Sequence, residues 1–290
     1  MRGTNENMWI KGFSKPTGRW AGLLLDIFVC ALGAAMLFPF LWMAAISLRP
    51  GDQTMSPQLL SSFPLEWSNY RTVWETLPLL RYFENSLLVM ATSVLFGTIV
   101  TICAAFAFTH FSFYGRKILL AALLGTLMIP EQLLLIPNYM TVAGLGWTDR
   151  YAALAVPWMT NAFAVFYLVQ VFSAVPREYR FAARADGAKP SAFLWKVVVP
   201  LCKPSILTLA LLKSIANWNA YLWPLIVTNS TEMRTLPVGL LALSTEAGTS
   251  YELLMAMSVI LVVPMVFLYF IVQKHLVQAV PSAENLKNES

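Results

Sequence analysis

Charge is scarce in this chain. Lys, Arg, Asp and Glu make up 12% of its 290 residues, where a soluble globular chain carries about 25%. So small a charged fraction cannot clothe a surface that faces water all round, which excludes an ordinary soluble domain. Cysteine and histidine are scarcer still. Cys30, Cys103 and Cys202 lie in or beside apolar runs, with no C-x-x-C pair and no neighbouring His, and read as small buried hydrophobes rather than metal ligands. His110 and His275 fall at the ends of apolar runs and read as interfacial groups. No G-x-x-x-x-G-K-[ST] segment occurs, so the chain has no phosphate loop with which to cradle ATP. No Ser/His/Asp set, metal cluster or paired membrane carboxylate suggests catalysis, so neither enzyme activity nor a cofactor nor a bound metal is expected. The net charge of +5 is modest and calls for no nucleic-acid partner.

What the chain has in abundance is apolar length: 58% of it is hydrophobic. A membrane-spanning helix needs about 20 mostly apolar residues. Six runs qualify, at residues 20–48, 83–108, 118–139, 151–172, 204–227 and 253–273. The expected fold is therefore an all-α, polytopic membrane protein with six spans. Between the first two runs lies a polar stretch, 49–81, rich in Pro and Ser and without a clear helical period. The first run continues past residue 35 through Phe38-Pro-Phe-Leu-Trp to Ile46. That exceeds the roughly 7–15 apolar residues of a cleaved signal, so it is expected to stay as a helix.

Basic residues choose a side. Arg2, Lys11, Lys15 and Arg19, then Arg116 and Lys117, then Arg177, Arg180, Arg184, Lys189, Lys196 and Lys203, then Lys274 and Lys287 all fall on one face of the six-span path. Arg49, Arg71, Arg81, Arg150 and Arg234 fall on the other, among eight acids. The positive-inside rule then makes both termini and the 176–200 loop cytoplasmic. The implied divisions are a cytoplasmic tail at 1–19, a first span at 20–48, an extracytoplasmic loop at 49–81, a five-helix body at 82–275 and a tail at 276–290.

The 176–200 loop is a polar, cationic island between two long apolar runs. Pro176 ends the fourth span. Residues 178–185 read as a short helix carrying Ala182, Ala183 and Ala185, and Asp186-Gly187 as its stop. A second helix begins after Lys189-Pro190, with Phe193, Leu194, Val197 and Val198 as its apolar face, and closes at Pro200. Helix, tight turn and helix with small residues at the bend can let another protein approach the backbone closely. The same pattern also suits an amphipathic hairpin resting on anionic headgroups.

The spacing of this loop resembles the EAA loop of ABC-importer permeases, written E-A-A, three residues, G, nine residues, I-x-L-P. Here Phe181-Ala182-Ala183 is followed by three residues and Gly187, then by nine residues and Val197-Val198-Val199-Pro200. Phe181 stands where that family has Glu, and Glu178 lies one turn earlier. MIPEQLLLIP at 128–137, WNAYLWPL at 218–225 and TLPVG at 235–239 resemble the carbohydrate-uptake branch, the smaller permease of maltose-type systems. The likeness spans about residues 82–280 and lacks that branch's glycine-rich C-terminal ending. It implies a type I importer fold and a second permease subunit as heterodimer partner. It also implies two ATPase subunits docked at Glu178, Phe181, Ala182, Ala183, Asp186, Gly187, Val197 and Pro200, an extracytoplasmic solute-binding protein, a sugar substrate and contact with membrane lipid.

Polar groups inside spans are expensive and face the bundle interior or a water-filled path. The fifth run carries Lys213, Ser214, Asn217, Trp218, Asn219 and Tyr221. Lys213, Asn217 and Tyr221 recur every fourth residue, on one helix face, and rings beside amides suit a sugar. These residues either line a translocation pathway or, through Asn217 and Asn219, bond across helices to hold the bundle. Lys213 either snorkels to the cytoplasmic interface, faces the cavity and favours an acidic or phosphorylated sugar, or pairs with an acid of a partner subunit. Glu131, between Pro130 and Pro137 in a run those prolines can break, reads as an outer gate or as a buried structural acid. The alternative function is an ion-coupled secondary transporter or channel, which needs membrane acids; Glu131 and Asp26 are the acids deepest in the runs.

Overall fold

Prolines mark some of the helix breaks, although Pro39 and Pro264 lie inside long helices that run on through them. The computed structural model describes residues 19–51, 65–245 and 248–279. Most of the expected N-terminal tail, much of the 49–81 loop and the end of the C-terminal tail lie outside the described residues. Among the described residues three helices are individually long and apolar enough to cross a membrane: α1 (Arg19–Ser47), α3 (Leu79–His110) and α14 (Tyr251–Ala279). Three bent pairs bring the number of spans to six. In the first, α4 (Arg116–Thr126) turns by 95° through a 3-10 segment (Glu131–Leu134) into α5 (Leu135–Gly144). In the second, α6 (Tyr151–Ala155) and a 3-10 turn (Val156–Trp158) meet α7 (Ala162–Ser173) at 43°. The polar loop supplies α8 (Arg177–Ala185). In the third pair, α9 (Pro190–Phe193), a π turn (Leu194–Val198) and α10 (Val199–Leu201) meet α11 (Lys203–Trp218) at 80°.

Several of the breaks have a local cause. A proline has no N–H for the carbonyl four residues back. Pro130 thus deprives Thr126, where α4 stops, and Pro224 deprives Ala220, in the gap between α11 and α12 (Leu222–Val227). The runs at 118–139, 151–172 and 204–227 are therefore not continuous helices. Pro200, in contrast, does not close the loop's second helix. Its missing N–H falls opposite Lys196, and the backbone shifts to π register, with the Val199 N–H bonded to the Leu194 carbonyl. The helix then continues to Leu201, and the bend falls at Cys202.

The polar stretch at 49–81 also differs from expectation, because it contains α2 (Ser68–Thr76). Tertiary contacts rather than periodicity hold it: Val73 is fully buried, and the Asn69 amide donates to the Ser47 and Arg49 carbonyls at 3.0 and 2.8 Å. A short helix, α13 (Leu236–Gly239), and a minimal antiparallel pair, β1 (Ser244–Thr245) and β2 (Gly248–Thr249), precede α14.

Among the described residues three apolar cores fill the bundle, one of them gathering Val89, Val142, Leu154 and Trp223. Near the His110 end of α3, Phe106 packs with Leu168, Phe172, Phe193 and Val198. Near the Leu79 end, Tyr82 packs with Val73, Trp218, Leu236 and Met257. Helix α1 lies against α14 and exposes Leu24, Phe28, Leu37 and Leu41. That apolar face fits lipid or another membrane helix.

Candidate functional site

The broken helices converge on one cavity. Where α6 gives way to α7, Pro157 frees the Ala153 carbonyl, and the Trp223 indole N–H of α12 donates to it at 2.9 Å. A few residues on, the Lys213 ammonium donates to the Met159 carbonyl. Thr101 of α3 hydrogen-bonds Thr160 at 2.9 Å, and Asn161 caps α7 by accepting the Ala164 N–H at 2.8 Å. Non-helical backbone at membrane depth persists only where neighbouring groups take up its polar atoms. Here α3, α11 and α12 supply them.

Gly97 makes the junction possible. A Cβ at Gly97 would overlap the Met159 carbonyl and the Lys213 ammonium. Gly97 lies 18 positions after Leu79 in a helix of 32 residues, about 27 Å along a rod of about 48 Å. Lys213 is therefore near mid-depth and only 7% exposed. It does not snorkel to an interface, because the nearer Met159 carbonyl satisfies it inside the bundle.

Above this junction lies a cavity of about 320 Å³. Lys213, Asn217 and Tyr221 line it from one side and Glu131 from another, together with Trp158 and Trp223. Trp158 and Trp223 meet edge to face, with centroids 6.0 Å apart and planes at 74°. Two polar atoms of its wall are buried without partners, the Trp158 indole N–H and the Thr235 hydroxyl. The cavity thus combines an aromatic corner, three amide side chains (Gln132, Asn161 and Asn217), one cation and one acid.

The structure brings four of the six candidate pathway and gate residues together and sets two apart. Tyr221 reaches the cavity although it lies beyond the end of α11, so the fourfold spacing is right about the wall and wrong about a continuous helix. Trp218 is 2% exposed, away from the cavity, with its indole N–H on the Leu261 carbonyl at 3.0 Å. Asn219 is exposed outside the cavity and donates to the Ile215 carbonyl at 3.0 Å. Asn217 likewise donates to the Lys213 carbonyl at 2.9 Å. Both amides therefore close their own helical turn rather than bonding across helices. Glu131 is exposed, which removes the buried-acid reading.

Trp158 and Asn161 belong to the cavity wall and Gly97 to the junction beneath it. Pro157 followed by Thr160-Asn161 is a break-and-cap signal within an apolar run. Gly97 carries no signal of its own.

The loop forms as its spacing suggests. Helix α8 ends in a Schellman turn: Gly187 takes φ +72°, its N–H bonds to the Arg184 carbonyl at 3.1 Å, and the Ala188 N–H bonds to the Ala183 carbonyl at 2.9 Å. Glu178, Phe181, Ala182, Asp186, Gly187 and Pro200 are exposed, while Ala183 and Val197 pack against the core beneath. Phe181 is 58% exposed on the outer face of α8.

Residues 17–281 match the family model for the binding-protein-dependent transport system inner membrane component. The chain belongs to this family. Among its relatives, the arabinooligosaccharides transport system permease protein AraQ of Halalkalibacterium halodurans is 30% identical over 258 residues, covering 88% of this chain and 92% of the relative. The sn-glycerol-3-phosphate transport system permease protein UgpE of Yersinia pestis bv. Antiqua is 31% identical over 274 residues, covering 90% and 97%. A chain of a bacterial ABC transporter involved in the import of the acidic polysaccharide alginate superposes with a TM-score of 0.79 at 23% identity, covering 90% and 98%. This member of the family thus has the type I ABC-importer transmembrane fold and is a multi-pass membrane protein.

Proposed function

We propose that this permease forms half of the transmembrane pathway of an ATP-driven, binding-protein-dependent importer for a sugar or oligosaccharide. The observation that carries the reading is the mid-membrane cavity, whose aromatic corner and polar lining match the C–H faces and hydroxyls of a sugar. Relatives named for arabinooligosaccharides and for sn-glycerol-3-phosphate, and a fold neighbour named for alginate, support the same substrate range. Lys213 inclines the preference toward a solute with an acid or phosphate group. An ammonium has three N–H donors; Met159 takes one, and Lys213 lines the cavity.

In this reading ATP is hydrolysed by two separate subunits that seat on the outer face of α8, and a second permease completes the pathway. A solute-binding protein delivers from the side opposite the loop, with Glu131 at the outer gate. Both termini lie on the loop's side. Closure of the ATPase pair would push α8, and α7 and α9–α11 would transmit the movement to the broken helices at the cavity. The partners' differential affinity for the two states supplies the drive.

Proteoliposomes with the full set of subunits should take up solute only with ATP and binding protein. Substantial flux driven by a proton or sodium gradient, with no ATPase present, would overturn the reading. Lys213→Gln should lower uptake of acidic sugars relative to neutral ones by about tenfold, the loss of one charge-assisted hydrogen bond. An unchanged ratio would remove the acidic preference and leave the importer itself standing.

A further inference from the structure

A second cavity, of about 540 Å³, lies at the other end of the bundle. It is enclosed by the His110 end of α3, the connection at 111–115 and the inner face of α8. Arg116, Arg180 and Arg184 line it with His110, Thr109 and Ser112, and no acid is among its lining residues. Among the described residues none of the three guanidiniums has a carboxylate partner. The Nε of Arg180 is buried without a hydrogen bond, and Arg116 makes one long bond, 3.5 Å to the Phe111 carbonyl.

Arg180 and Arg184 stand one turn apart on the same face of α8, a like-charge arrangement that costs stability on its own. Ala183 between them leaves room in front of both. His110 is held as a fixed wall, stacked on Phe106 at 4.3 Å and bonded through Nδ1 to the Thr109 hydroxyl at 2.7 Å. Three unpaired guanidinium groups around one hollow match a tetrahedral oxyanion, which accepts their N–H groups in pairs.

Depth narrows the source of that anion. The apolar run of α3 ends at His110, and the connection beyond it exposes Phe111, Phe113 and Tyr114, the last completely. Aromatic side chains at the end of a span mark the headgroup level. Arg180 and Arg184 line the hollow beneath α8, with the Arg180 guanidinium also 5.8 Å from the Phe181 ring centroid.

We propose that this pocket binds a phosphate group, that of an anionic phospholipid in the leaflet on the loop's side. The bound headgroup braces α8 against α3 from beneath and holds the outer face of the loop in position.

The full chain, purified with its co-expressed subunits from membranes containing phosphatidylglycerol, should retain that lipid in native mass spectrometry. Arg180→Gln/Arg184→Gln should weaken retention at least tenfold. Arg177→Gln removes the same charge from a residue of α8 that does not line the pocket, and should leave retention unchanged. Wild-type protein in pure phosphatidylcholine provides a test without any variant: titrated phosphatidylglycerol should bind saturably and be displaced by inorganic phosphate only at high concentration. Tight binding of inorganic phosphate with no lipid retained would keep the phosphate site and assign it a soluble occupant. Equal retention in the double variant and wild type would overturn the proposal. So would an anion that binds only when the ATPase partners are absent, since that would give the pocket to a protein carboxylate.

Discussion

Gly97→Ala is the sharpest probe of the junction beneath the cavity. The added Cβ would meet the carbonyl carbon of Met159 at 2.6 Å and overlap its oxygen and the Lys213 ammonium. The lysine tip can swing aside, but the Met159 backbone cannot, because the Lys213, Thr101 and Trp223 hydrogen bonds fix the broken segment around it. Overpacking a tight interior costs about 1–3 kcal/mol, and a backbone obstacle places this case near about 3 kcal/mol. The Lys213 bond to Met159, of a class worth about 1.5–3 kcal/mol, is lost in the same movement and overlaps that cost rather than adding to it. At about 2–4 °C per kcal/mol, the thermal midpoint of the purified importer should fall by about 6–12 °C, with uptake lost in parallel. Gly33→Ala in α1 is the control, since an added Cβ there meets nothing within 4 Å. Gly97→Ala/Lys213→Met should recover little, because it relieves the side-chain clash and leaves the backbone one. A Gly97→Ala midpoint within about 1 °C of wild type, or full rescue by the second change, would refute the reasoning.

Three further outcomes are expected. Asn85 is fully buried, donates to the Glu232 and Arg234 carbonyls at 2.7 and 2.9 Å and accepts the Tyr151 hydroxyl at 2.6 Å. Asn85→Leu should therefore cost about 3 kcal/mol, at about 1 kcal/mol per bond, and a double-mutant cycle with Tyr151→Phe should show coupling; additive losses would count against the network. Phe181→Glu should leave the chain folded but cut ATP-driven uptake about tenfold, if docking on α8 depends on apolar fit; retained uptake would show that it does not. The Asp149 carboxyl lies below the usual carboxylate range: desolvation, the largest single influence, opposes this, but the Ser230 N–H and side chain and the Asn229 N–H together outweigh it. A depressed folded-state pKa stabilises above the unfolded value and loses that contribution as pH falls through the folded one. Wild type should thus exceed Asp149→Asn in thermal stability from about pH 4 upward, and the difference should vanish in stronger acid. A difference that grows on acidification would contradict the assignment.

Most of the 176–200 loop was legible in the sequence, because its order is local. Pro176, the alanines of α8 and Gly187 act through neighbours a few residues away, so spacing alone foretells helix, turn and helix. Pro200 escaped that logic, because whether a missing N–H ends a helix or shifts it to a π turn depends on what packs around it. Here Val198 is buried against Phe172 and Leu168, and the chain continues. Helix α2 escaped for a similar reason, since Val73 and Asn69 find their partners in distant parts of the chain.

The amino-acid sequence by itself determined solvent and rhythm. Too few charges to face water, six apolar runs and a lopsided distribution of Lys and Arg follow from composition and order, whatever the packing. Prolines at 130, 157, 200 and 224 also determined which carbonyls would lose their helical donor. Only the tertiary structure decided what became of them. The Trp223 indole satisfies the Ala153 carbonyl from 70 positions away, and Lys213 reaches, across 54, the Met159 carbonyl left in the gap that follows. A freed carbonyl must find a donor, but nothing in local sequence says which. That choice selected the cavity among the three places open to Lys213 and made Gly97, silent in the sequence, a condition of its shape.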